Sequence, residues 1–288
     1  MTIGYLLAIL TGISFGVQGV YAKYISRNLP AVFLSWITFA FTVPFLVVLV
    51  LYDGIPEVNW EPFLWSTFTS FSVNLMAWYL FFRALQLSPL YLTMPFTAFT
   101  PLFLIPVSLV LLGESPTFRG VLGIFFIILG AYGLQLRSRH WLEPFRALFR
   151  EKGTRLMMMV ALVWSVSATV EKVAVLNSSP VFYGMVIHGL LATAYLPVIL
   201  WKHPERFLAL KREKGKFTLM GLISAAVVLF QFSALTHLYV SYVIAFKRAG
   251  VLVSVLLGYI VFRENHILRN LLFTSLMVGG AALILLSG

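Results

Sequence analysis

Long apolar runs separated by short polar connections pattern this chain, and ten of them reach the roughly 20 residues needed to cross a bilayer. They fall near residues 3–25, 31–52, 64–87, 90–112, 117–136, 156–177, 181–201, 217–238, 241–262 and 267–287. None alternates strictly between apolar and polar as a barrel strand does, and an open strand edge finds no hydrogen-bond partner in hydrocarbon. Each run is therefore predicted to be a helix. The first begins almost at Met1, with no basic segment before it and no small-residue cleavage site after it, and reads as a retained span. In it, Ala8, Gly12 and Gly16 recur at four-residue spacing and predict a face that another helix approaches closely. In the fourth, Pro95, Pro101 and Pro106 remove amide donors, so a broken helix is expected.

Composition moves this from a pattern to a class. The chain is 60% hydrophobic and 11% charged, with mean hydropathy +0.93. A soluble domain carries about 25% charged residues, so this is an all-α membrane protein embedded in the lipid bilayer. A net charge of +11 raises the question of nucleic acid, but the basic residues sit in the short connections, which argues against nucleic acid as a partner. Of the 21 Lys and Arg, all but Arg119, Lys172, Lys247 and Arg248 fall on the face that follows odd-numbered runs. The opposite face has the loop from Asp53 to Glu61, with three acids (Asp53, Glu57, Glu61) and no base. The positive-inside rule then puts the basic face in the cytoplasm and both termini outside.

Several chemistries are missing. The hydrophilic stretches Arg137 to Arg155 and Lys202 to Lys216 are too short for a water-soluble domain and hold no phosphate-binding G-x-x-x-x-G-K-[ST] loop. Without Cys there is no disulfide or thiolate metal site. No Ser-x-x-Lys, His-Glu-x-x-His or clustered His/Glu set occurs, so no catalytic, cofactor or metal site is expected and the chain does not read as an enzyme.

Advancing the chain by 150 residues, from Glu114 to Glu264, also places Pro30 on Pro180, Arg119 on Arg269 and Gly130-Ala131 on Gly280-Ala281. Phe82-x-Ala84-Leu85 falls on Phe232-x-Ala234-Leu235 in the same register. This divides the chain into a first repeat at 1–137, a basic linker at 138–155 and a second repeat at 156–288. Five spans per unit is an odd number, so the second unit enters the membrane upside down. Inverted repeats of this kind characterise secondary transporters, with the substrate near midplane at the repeat interface.

Residues 84–134 and 234–285, each with a helix-ending Glu followed by a Gly-rich helix, resemble the third-to-fifth-helix segments of the drug/metabolite transporter superfamily, EamA type. The resemblance implies a ten-helix, multi-pass carrier of the cell (inner or plasma) membrane, built as two inverted five-helix repeats around a central cavity. It also implies that the first, third, fourth, sixth and eighth helices line that cavity. Gln18, Asn74, Trp78, Thr97, Trp164 and Gln231, with Ser167, are then candidate substrate contacts, set against the plainer reading of interhelical hydrogen bonds and packing.

The sharpest candidates are Lys247 and Arg248, about 9 Å into the ninth run at 1.5 Å of rise per residue. Burying such a charge costs about 2.5 to 3.5 kcal/mol, so a cavity, partner or pathway is expected. Adjacent side chains point about 100° apart, so both reach one cavity by clasping something across its wall, as donors do around a phosphate or carboxylate. The AFKRAG segment resembles the Lys-Arg pair in the ninth helix of the plastid phosphate translocators, where it holds the substrate phosphate. The alternatives are snorkelling to the nearby face or pairing with Glu171.

Glu114 and Glu264 are expected to cap the helices that follow them and to meet Arg119 and Arg269. Glu171 is expected to pair Lys172, Lys247 or Arg248, and His188 reads as a packing histidine. The first run lacks the buried carboxylate of small multidrug-resistance exporters, which disfavours cationic drugs. The sequence therefore predicts a secondary active transporter that moves a small anionic organic metabolite by alternating access. An exporter of neutral or zwitterionic metabolites such as amino acids is the alternative, followed by a non-transporting assembly protein.

Overall fold

In the computed structural model the apolar runs are helices, and no strand occurs among the described residues, which are 2–25, 29–88, 90–136, 140–206, 210, 212–262 and 267–287. The first three are α1 (Thr2–Ile25), α2 (Ala31–Asp53) and α3 (Trp60–Leu87). The proline-bearing fourth run is divided as expected: α4 (Leu90–Thr93), a 3₁₀ segment (Met94–Phe99) and α5 (Thr100–Leu112) follow one another. Gly113 ends α5 at φ 69°, a left-handed cap that a side chain would strain, and α6 (Phe118–Gln135) follows. The Thr117 side chain caps α6 by accepting from the Gly120 amide, 3.2 Å away.

The linker is not featureless. It holds a short helix, α7 (Glu143–Arg150), that buries Pro144 and Ala147 and leaves Arg146, Phe149 and Arg150 exposed. Next come α8 (Lys152–Leu176), α9 (Pro180–Lys202) and α10 (Lys214–Leu235). The ninth run is also divided, which its lack of proline did not announce. It forms α11 (Val240–Ala249) and α12 (Val251–Phe262), hinged at Gly250, and α13 (Ile267–Leu285) closes the chain.

Six helices among the described residues are long and apolar enough to cross a membrane. Exposure runs opposite to that of a soluble protein: Val110, Leu51 and Phe118 face outward while Thr11, Ser70 and Gln231 are buried. Hydrocarbon as the solvent explains both halves of this pattern.

Helix contacts repeat under an exchange of the two halves. α3 packs on α8 as α10 packs on α1, while the 3₁₀ segment and α5 pack on α8 as α11 and α12 pack on α1. α2 with α9, and α6 with α13, are their own counterparts. The break at Gly250 lies 150 residues beyond Thr100, so both divided helices break at matching positions. Gly12 and Gly16 serve the close approach their spacing predicts: a Cβ on Gly12 would stand 2.5 Å from the Phe246 carbonyl oxygen, and one on Gly250 would strike that of Gly12.

Candidate functional site

A cavity of about 480 Å³ lies between the two halves. Its wall runs from residues near the basic-loop ends of their helices, such as Ala22, Leu34 and Met220, inward to Glu171 and Ile244. All eight residues singled out in the sequence line it: Gln18, Asn74, Trp78, Thr97, Trp164, Gln231, Lys247 and Arg248.

The last turn of α11 carries both cations, where the unpaired carbonyls of a helix C-terminus favour positive charge. They part as the 100° step requires. Lys247 Nζ donates to Gln231 Oε1 on α10 at 2.7 Å and lies 5.0 Å from the Phe15 ring centre on α1. Arg248 turns the other way, donating from Nη2 to Thr100 Oγ1 at 3.2 Å and lying 5.6 Å from the Trp164 ring centre. Thr100 begins α5 at the matching break, so Arg248 ties one divided helix to the other. Among the described residues no carboxylate lies within 4.0 Å of either cation. Arg248 Nε is buried with no hydrogen-bond acceptor. A planar guanidinium and a compact ammonium thus line one cavity without a carboxylate partner among the described residues.

Facing them is a polar cluster that the spacing of residues did not reveal. Glu171 Oε1 accepts from Ser167 Oγ at 2.8 Å, Asn74 Nδ2 at 3.2 Å and Ser70 Oγ at 3.5 Å. Asn74 also donates to Ser167 Oγ at 2.7 Å, and the fully buried Tyr183 donates to Ser70 Oγ at 2.9 Å. The expected ion pairs of Glu171 are thus replaced by neutral donors, because α3 packs along α8 and brings Ser70 and Asn74 to it.

Lys172 points away from that cluster and pairs with Glu114 at 2.6 Å, also donating to the Leu238 carbonyl at 2.7 Å. Glu114 Oε2 accepts from the Val240 amide at 2.8 Å. So Glu114 caps α11, in the other half of the molecule, rather than α6, and it meets Lys172 rather than Arg119. Its counterpart Glu264 lies outside the described residues. His188 hydrogen-bonds through Nδ1 to the Gly184 carbonyl at 2.9 Å and packs edge-on against Phe39, as a packing histidine does, yet it also lines the cavity. Trp78, Phe81 and Trp164 lie within 6 Å of one another, ring centre to ring centre, and form an apolar wall. Among the described residues no group of His, Asp and Glu is placed to hold a metal ion.

The arrangement suits binding: two cations, one carboxylate and an aromatic wall surround a space the size of a small metabolite. One solved structure, titled only as the crystal structure of a protein, matches with a TM-score of 0.76 at 16% identity, covering 99% of this chain and 98% of the other. That likeness concerns the fold. No curated protein matches. The EamA-like transporter family matches residues 2–136 and 151–286, one match on each repeat. With nearly the whole chain covered by those two matches, this protein belongs to the EamA-like transporter family, a multi-pass membrane transporter of the drug/metabolite type.

Proposed function

We propose that the protein is a secondary transporter that moves a small anionic organic metabolite across the cell membrane by alternating access. Ten spans in two inverted five-helix repeats carry the motion, and Lys247 and Arg248 hold the oxyanion of the cargo. One observation carries this reading: both cations line the cavity with no carboxylate within 4.0 Å among the described residues, and Arg248 Nε is buried without an acceptor. Desolvated cations of this kind are costly until a counter-charge arrives. Gln18, Asn74, Trp78, Thr97, Trp164 and Gln231 complete the binding surface, the aromatic rings taking the apolar body of the cargo.

Counterflow into liposomes loaded with candidate anions tests this. Saturable uptake stimulated by the same anion on the opposite side supports a carrier. Currents without saturation or trans-stimulation would make it a channel. A second reading, a zwitterion carrier, draws on Glu171, whose carboxylate lines the same cavity and offers a site for an ammonium group. Counterflow of amino acids in preference to anions would favour it.

A further inference from the structure

Among the described residues, the charged side chains lining the cavity are Lys247, Arg248 and Glu171, two positive and one negative. We propose that Glu171 is a proton-accepting counter-charge of this site, so that a monoanion is bound alone and a dianion is bound together with one proton. The inference rests on the anion-site reading above and deepens it, because it fixes the net charge of the loaded site.

Three donors converge on Glu171 Oε1, from Ser167, Asn74 and Ser70, and the last is itself oriented by Tyr183. Oε2 takes no hydrogen bond from any described residue, while Glu171 lines the cavity. One oxygen is therefore held and the other is left for the occupant. Net charge is expensive in a site walled off from water and surrounded by hydrocarbon, so the loaded cavity is most stable when its charges cancel. A monoanion achieves this with Glu171 ionised. A dianion achieves it when a proton from the solvent in the cavity adds to Oε2, forming one O–H bond and nothing else.

Few other groups compete for that proton. From α9, Tyr183 reaches Glu171 through Ser70, and His188 lines the same cavity. From α11 come Lys247 and Arg248. On α8, Lys172 is already held by Glu114, while among the described residues the faces of α3, α5 and α10 toward the cavity present no charged side chain. Of these, His188 is the one rival acceptor.

The test uses ethanesulfonate, sulfate and taurine, a monoanion, a dianion and a zwitterion whose own charges stay fixed between about pH 6 and 8. Calorimetric titration of the purified full-length protein in two buffers of different ionisation enthalpy counts the protons taken up. The expected result for the natural protein is about one proton per sulfate and none per ethanesulfonate. In Glu171→Gln the uptake disappears and preference shifts toward sulfate by about tenfold or more. His188→Asn keeps the natural proton count. Sulfate binding without proton uptake by the natural protein overturns the proposal, as does uptake that survives in Glu171→Gln or is lost in His188→Asn. Taurine binding more tightly than ethanesulfonate, and only while Glu171 is present, overturns it in favour of an ammonium site. If neither anion binds the natural protein, the anion-site reading fails and this proposal falls with it. Anion binding with the wrong proton count removes only the role of Glu171.

Discussion

Glu114 and Val240 stand 126 residues apart in the chain, yet the Val240 amide donates to Glu114 Oε2 at 2.8 Å. The carboxylate's other oxygen takes Lys172 Nζ at 2.6 Å, so one side chain joins the end of α5, the start of α11 and the end of α8. The pair is largely buried, with side-chain exposures of 12% for Lys172 and 6% for Glu114. Removing one partner of such a pair leaves a buried charge and costs about 3 to 5 kcal/mol. Lys172→Met and Glu114→Gln are each expected to lower the unfolding temperature in detergent, with the double variant losing less than the sum. Strict additivity would show that the two side chains do not act as a unit.

A second prediction concerns the contact between α1 and the break at Gly250. Backbone meets backbone there, so neither side has a flexible side chain to move aside. Gly12→Leu and Gly250→Leu are expected to destabilise by at least about 1 to 3 kcal/mol, the usual cost of overpacking. A Cβ added at Gly189 would meet no atom within 4 Å, so Gly189→Ala serves as the control and leaves thermal unfolding within about 0.5 kcal/mol or slightly improved. Equal effects at Gly12 and Gly189 would remove the packing argument.

Orientation gives a third. With the basic loops in the cytoplasm, both termini face outward. A C-terminal alkaline phosphatase fusion is then active and a C-terminal fluorescent fusion is dark. The reverse pair of results would invert the assignment, and with it the side from which the cavity is reached.

How much of this was legible in the sequence differs from element to element. Helical runs were plain because hydrocarbon leaves the backbone no other way to satisfy itself, and Pro95, Pro101 and Pro106 marked the division of the fourth run. Gly250 gave no such signal, since a lone glycine in an apolar run reads equally as a packing contact. It could have been found through the repeat, as the counterpart of Thr100. The eight candidate residues were found as polar or aromatic groups inside apolar runs, and one cavity gathers them. Partner choice was not readable. Glu114 sits five residues before Arg119 in the chain, but meets Lys172 and Val240, because ion pairs in a bundle follow helix packing and not sequence separation. Glu171 was missed as part of the site for the same reason: its donors Ser70 and Asn74 come from α3, about 100 residues away.

Binding of anions to the natural protein and to Lys247→Gln and Arg248→Gln, followed by calorimetry or thermal shift, decides whether the two cations form an anion site. Anions are expected to bind the natural protein, and each substitution is expected to weaken them by more than about 1.5 kcal/mol, a loss typical of a charge-assisted hydrogen bond. A neutral or cationic solute bound equally well by all three proteins, with no anion bound more tightly, would contradict this and leave Lys247 and Arg248 as structural residues.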